Sequence, residues 1–240
     1  METGHVVNHG NLNKAIAIVK SIGTRYQPSN ADILLAALIL HFAAEKAIFK
    51  IVNEKGAIWV IKIKARQVIF LPLDKILTQV YNYAASTKIS KNVLENIASD
   101  IKKIKGIRAV PKLKTVEGQP TDESVNQISA AQTGIDHTIN NLDALIQILI
   151  AEPLYDPQET EITTDTLTTL LTDINSINDA VVDVFPAFDN ARIERNRLLY
   201  GVGGGKELAD HVKNYIRSLF GGDSPQYHQI AALKFTKPKI

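Results

Sequence analysis

Few residues in this chain have both the type and the spacing to do chemistry, and the most suggestive are the glycines of the stretch YGVGGGKE at positions 200–207. A phosphate-cradling loop needs glycine, four residues, then Gly-Lys-Ser/Thr, set between a strand and a helix. Here Gly205-Lys206 would put the first glycine at position 200, which is Tyr200, and Glu207 occupies the hydroxyl position. No strand pattern precedes the loop. The glycines predict the end of one helix and the start of another, because glycine closes a helix C-terminus at no steric cost.

The histidines offer little more. Only His5 and His9 have the i, i+4 spacing of a helical metal site, and they fall in a segment that reads as a ragged, solvated N-terminus. His41, inside ILLAALILHFAA, reads as a core-edge residue. Asp156, Glu159 and Glu161 resemble a fragment of a calcium loop, but its invariant glycine and closing glutamate are missing. Acidic residues beside a helix N-terminus, favoured by the macrodipole, account for them better. There is no Gly-x-Ser-x-Gly, no His-Glu-x-x-His and no evident acid pair. The sequence therefore nominates no catalytic, cofactor-binding or metal-ligating residue and implies no cofactor.

The 240 residues, 45% of them apolar, suffice for one large domain or two small ones. Cysteine is absent, which excludes disulfides, thiolate metal sites and a cysteine nucleophile. The first residues lack the basic start and apolar run of a signal peptide, and no Asn-x-Ser/Thr occurs, so a cytoplasmic location is the expectation. The net charge of +2 hides an asymmetry: residues 1–118 hold 18 Lys and Arg against 8 Asp and Glu, and residues 119–240 hold 9 against 17. Halves of opposite sign are each other's simplest partners, ahead of any nucleic acid.

The chain also echoes itself. NLNKAIAIVKSIGTRYQPSNADI from Asn11 matches NLDALIQILIAEPLYDPQETEI from Asn141, with Tyr26-x-Pro28 against Tyr155-x-Pro157. Ala65-Arg66 aligns with Ala191-Arg192, and IKGIRAVPK at 104–112 with IAALKFTKPK at 230–239. Echoes in the same order at offsets of 126–130 predict two copies of one module rather than a solenoid array. The division expected is a first helical unit at 1–105, a linker at 106–123 and a second unit at 124–240.

Helical periodicity dominates both copies. Expected helices cover about 11–24, Ala31 toward Ala85 with a bend near Pro72, 90–105, 124–151, 163–200 and 205–220. Leu167, Leu170, Ile174, Ile177, Val181, Val184, Phe188, Ala191, Arg195 and Leu198 alternate by three and four residues, the seam of a bundle or coiled coil. Phe49, Val52, Gly56, Trp59, Ile63, Arg66, Phe70, Leu73 and Leu77 repeat that spacing. The fold expected is all-α, an elongated helical bundle of two pseudo-repeated units with coiled-coil-like long helices.

The stretch AIWVIKIKARQVIFLPL, 57–73, is apolar around most of a helix, as is 33–44. Such a helix must be central or covered by a partner. Lys62, Lys64 and Arg66 interrupt it, so it falls short of a membrane span, and the alternation Ile61-Lys62-Ile63-Lys64 also permits a strand pair. Trp59, Ile58 and Ile63 are the candidate contact residues of this stretch. Arg66 and Arg192, each directly after alanine on a seam or its flank, are candidate structural arginines that should find a carboxylate or backbone carbonyl.

The segment NARIERNRLLYG, and Phe220-Gly221 followed by Ser224-Pro225-Gln226-Tyr227, resembles a family of uncharacterised bacterial helical proteins with an Ala-Arg pair in a long helix. The resemblance extends over most of the chain. It implies a helical fold and no activity, and 57–73 is more apolar here than that family would lead one to expect. The function expected is non-catalytic, through assembly or protein–protein contact, with a protein partner or homo-oligomer and no nucleic acid. The alternative is a membrane-active, pore-forming-like protein using 33–73. An enzyme with a site in the bundle interior ranks third.

Overall fold

A computed structural model describes residues 3–107 and 134–236. The protein is all-α: eight α-helices and three short 3₁₀ turns form the described residues, which contain no strand. The helices are α1 (Thr3–Ile22), α2 (Leu35–Phe70), α3 (Leu73–Ser86), α4 (Lys91–Ile104), α5 (Ile135–Ala151), α6 (Thr164–Tyr200), α7 (Gly205–Phe220) and α8 (Pro225–Ala231). The strand alternative at 61–64 fails, since these residues lie within α2. The expected 106–123 linker falls, beyond Ile107, outside the described residues, as does the start of the helix expected at 124.

Local chemistry sets the boundaries. Pro72 lacks a backbone N–H and disfavours helix at the preceding residue, so the long first helix stops at Phe70 instead of bending. A new helix begins at Leu73, with Ile76 N–H donating to the Pro72 carbonyl. Ser90 and Ser224 cap α4 and α8, their hydroxyls accepting from Val93 N–H and Tyr227 N–H. α1 starts eight residues earlier than the echo at Asn11 suggested, which turns the expected ragged N-terminus into ordered helix carrying His5 and His9.

The chain forms two compact units, the first made of both ends of the sequence, 1–60 with 183–240, and the second of its middle, 61–182. The boundaries fall inside α2 and α6, so each long helix serves both units. Counted by unit, the charge asymmetry shrinks, to 15 Lys and Arg against 10 Asp and Glu in the first and 12 against 15 in the second.

In the first unit α1 packs on α7 and α8, with α7 also against the turn at Ala31–Ile33. Leu12, Ala15, Ile16, Val19, Leu38, Leu208, Val212, Ile216 and Ile230 are buried there as one cluster. In the second unit α4 packs on α5, and α3 on α4 and the turn at Thr160–Ile162. Its core joins Leu77, Val80, Ile97 and Ile101 to Leu142, Leu145, Leu149, Leu167 and Ile174. Each such leucine or isoleucine withdrawn from water stabilises the fold by about 1.5–3 kcal/mol. These contacts between first-half and second-half elements are apolar, and ion pairs such as Lys105–Asp74 and Lys206–Asp210 join residues of the same half.

Both seams read from the sequence point inward. From Leu167 to Leu198 on α6, and from Phe49 to Phe70 on α2, every seam residue is buried or half-buried. Arg195, which interrupts the α6 seam, is only 2% exposed, with Nε and Nη2 donating to Asn196 Oδ1.

Candidate functional site

Two features gather side chains capable of chemistry or recognition, the first within the first unit and the second along α2, which both units share. One is a buried polar cluster around Glu45, the other an outward face of α2.

Glu45 is 0% exposed on α2. His9, one face of its ring stacked on Phe42 with centroids 4.3 Å apart, donates from Nδ1 to Glu45 Oε2 at 2.7 Å. His41, one turn before Glu45, lies with Nε2 3.3 Å from Oε1 and donates to the Leu198 carbonyl at 3.1 Å. Glu45 Oε1 itself accepts no hydrogen bond. It rests against the first residue of α7, so close that a Cβ built on Gly205 would overlap it. A side chain at 205 would have to displace that oxygen, and the partial positive charge of the α7 N-terminus faces the carboxylate. A second set of contacts surrounds Tyr200: Asn8 Nδ2 donates to its hydroxyl at 3.0 Å, and His5 Nδ1 shares a hydrogen bond with it at 2.9 Å. Burial pushes the Tyr200 phenol up, while the Asn8 hydrogen bond and Arg195 pull the other way. Asn8 and Asn11 also hold residues 234–236, donating to the Thr236 and Lys234 carbonyls.

The glycine loop works as punctuation. Gly203 has φ 68° and its N–H donates to Glu207 Oε2 at 2.8 Å. The chain's own carboxylate therefore occupies a donor that an anion would need. Lys206 pairs with Asp210 at 2.9 Å. Beside the loop, Asp32, Ala37, Leu40, His41, Ala44, Gly203 and Leu208 line an open pocket of about 380 Å³. No three described His, Asp or Glu residues could together hold a metal ion. The cluster is built to fasten helices: it links α1, α2, the end of α6 and the start of α7.

The α2 face is different in kind. Leu40, Ala44, Ala47, Ile51, Glu54, Ile58, Ile61, Ala65 and Val68 are spaced alternately by four and three residues, and all are exposed. Leu40 is 73% exposed, Ile61 66% and Val68 63%, large values for apolar side chains on an ordered helix. The four-and-three spacing keeps them on one face over about 42 Å of helix. Lys46, Lys50, Lys55, Lys62 and Lys64 lie along its sides. Glu54, the one charge in the stripe, lies 3.7 Å from Lys50 Nζ.

The candidates named from the sequence divide between the inward and outward faces of α2. Ile58 is exposed and belongs to the stripe; Trp59 and Ile63 are half-buried on the inward seam. Trp59 stacks on Phe188 at 5.3 Å and touches Phe185 at 5.8 Å, and Gly56 leaves room for Phe188, whose ring would lie 3.0 Å from a Cβ there. Arg66 donates from Nη1 to Asn178 Oδ1 at 2.8 Å, an amide rather than a carboxylate. Arg192 is exposed, 3.3 Å from Asp189, with its guanidinium over the Phe188 ring. The five do not converge on one site.

No family model, curated protein or solved structure matches the chain. Sequence reasoning missed Glu45, whose one signal was its place in an otherwise apolar run, ILLAALILHFAAEKAIF. It also missed the outward stripe. The 3.5-residue spacing from Leu40 to Val68 was there to be found, masked by the inward seam that shares the helix.

Proposed function

We propose that the protein acts by protein–protein contact through the exposed face of α2 and performs no catalysis. The observation that carries this reading is the apolar stripe from Leu40 to Val68, open to solvent over four heptads. An apolar face of that length is expensive to leave in water and marks an interaction surface. Membrane insertion as a spanning helix has no support, because no helix among the described residues is long and apolar enough to cross a membrane. The test is a photoreactive amino acid placed at Ile58 or Ile61 in the native cell, with Thr172 as an exposed control. A discrete protein adduct at the two stripe positions and none at Thr172 is expected. Adducts at neither stripe position would overturn the reading.

We further propose that the two sequence segments 1–105 and 124–240 are copies of one module. Support comes from a recurrent anchor. The Tyr26 hydroxyl donates to the Ile33 carbonyl at 2.8 Å, and the Tyr155 hydroxyl to the Ile162 carbonyl at 2.9 Å. Each anchor tyrosine meets a second edge-on, Tyr215 at 5.1 Å and Tyr83 at 5.3 Å. The two pairs lie 129 and 132 residues apart, near the offsets of the sequence echoes.

A further inference from the structure

The stripe on α2 also constrains the chemistry of its occupant. Written as a heptad, Ala44, Ile51, Ile58 and Ala65 take one seam position, and Leu40, Ala47, Glu54, Ile61 and Val68 the other. The flanking positions then carry Lys50 and Lys64 on one side and Lys55 and Lys62 on the other, the remaining ones being alanine, isoleucine and His41. Both flanks are basic, and such flanks choose partners in paired helices.

Three occupants fit an exposed apolar helix face, and the side chains separate them. A second copy pairing its own stripe in parallel would set Lys50 against Lys55 and Glu54 against Glu54. An antiparallel copy would still bring basic flank to basic flank. Like charges so placed oppose association. A bilayer surface suits a helix whose apolar face carries bulky leucines and aromatics. This stripe has no aromatic residue, and Ala44, Ala47 and Ala65 make up a third of it. Alanines instead let another helix approach closely, since the distance between packed helices follows the size of the side chains at the contact. An acidic-flanked helix meets both conditions.

We infer that α2 receives an amphipathic helix of a partner protein that has Glu or Asp along both flanks of its apolar seam and a basic or small polar residue opposite Glu54. This rests on the reading of α2 as the contact surface and adds the chemistry of what binds there. The partner's seam supplies the larger side chains over Ala44, Ala47 and Ala65, and its carboxylates meet Lys50, Lys55, Lys62 and Lys64.

The test uses the purified full chain and two labelled four-heptad peptides with one leucine-rich seam, the first with Glu at all flanking positions and the second with Lys. Fluorescence anisotropy should show the acidic peptide binding at least tenfold tighter than the basic one. Its affinity should fall at least threefold between low salt and 0.5 M salt, as screened charge pairs require. Ile58→Gln with Ile61→Gln should weaken it at least tenfold while the circular dichroism spectrum stays unchanged. Equal binding of both peptides, or binding of neither, overturns the inference. Binding to phosphatidylglycerol vesicles in place of the peptide overturns it in favour of a lipid surface. A dimer by light scattering that the double variant dissolves overturns it in favour of a second copy. If the photo-adducts at Ile58 and Ile61 persist while acidic preference fails, only the partner's chemistry is wrong. If the adducts are absent, the contact reading itself has failed.

Discussion

Under the proposed duplication, one core position is filled with opposite materials in the two units. In the first, the fully buried position nearly three turns into the long helix is Glu45, and in the second, 129 residues on, it is Ile174, also 0% exposed. At the start of a helix packed in the same unit, the first unit has Gly205 of α7, against the carboxylate, and the second has Leu73 of α3, buried in the same cluster as Ile174. A buried carboxylate loses its hydration, and a paired one is weak evidence for stability. The apolar pair is the cheaper filling. What the polar one adds is selectivity, because Glu45 accepts only a neighbour with a donor, His9, and only a glycine at the facing helix start. This contrast can be broken by exchanging the two fillings.

The largest effect is expected from Ile174→Glu, which would bury a carboxylate with no partner in the apolar core of the second unit. A loss of about 3–5 kcal/mol is expected, read by urea unfolding with hydrogen exchange of the α5 and α6 amides to locate it. The reverse exchange, Glu45→Ile, should cost less, because it removes the fully buried member of the pair and leaves His9, which is 19% exposed and within reach of water. Equal losses from the two exchanges would abolish the distinction between the units.

Next in size is Gly205→Ala. The added methyl would overlap Glu45 Oε1, and forcing an atom into packed space costs about 1–3 kcal/mol. Introduced into Glu45→Ala, the same methyl should cost much less. A double-mutant cycle on thermal unfolding measures that coupling. Additive losses would mean that glycine is required by the turn and not by the carboxylate.

Where the units agree, the test is symmetry. Tyr26→Phe and Tyr155→Phe each leave a buried carbonyl without its donor, and each should cost about 1–2 kcal/mol. Burial pushes both phenols well above the usual value of 10.0, with the neighbouring tyrosine adding to it, Tyr215 for Tyr26 and Tyr83 for Tyr155. The folded state therefore holds these protons more tightly than the unfolded chain. Their stabilising contribution is whole below pH 10 and is lost progressively as pH rises above it. Alkaline titration of unfolding should show a smaller loss in either Phe variant, and a loss identical to the parent's would break the assignment.

How much of this was legible beforehand follows from periodicity. The residues from Leu167 to Leu198 placed α6 within a residue at its start, because a long 3.5-residue pattern admits only one helix register. The Tyr-x-Pro echo pointed at the two anchors without revealing their hydrogen bonds. The partition into units was hidden, since nothing local to 60/61 or 182/183 interrupts α2 or α6 as helices. Even Pro186, which denies the Val182 carbonyl its helical partner, leaves α6 continuous. The Glu45 cluster was illegible for another reason: His9, Glu45 and Gly205 are brought together by tertiary packing, and no short spacing encodes it.

The smallest stability effect belongs to the outward face of α2, and its smallness is the point. Ile58 and Ile61 stand 43% and 66% exposed, so replacing them recovers little packing loss. Glutamine is at least as good a helix former as isoleucine, because it loses less side-chain freedom against the preceding turn. Ile58→Gln with Ile61→Gln should therefore unfold within about 0.5 kcal/mol of the parent. The variant would be expected to stay longer in solution at high concentration, having lost part of an exposed apolar stripe. A loss of several kcal/mol would show that these side chains already have a partner within the chain, and it would remove the surface on which the proposed contact depends. An unchanged melting curve, joined to the loss of photo-adducts or peptide binding, would separate the two sides of one helix: an inward seam spent on folding and an outward one kept for recognition.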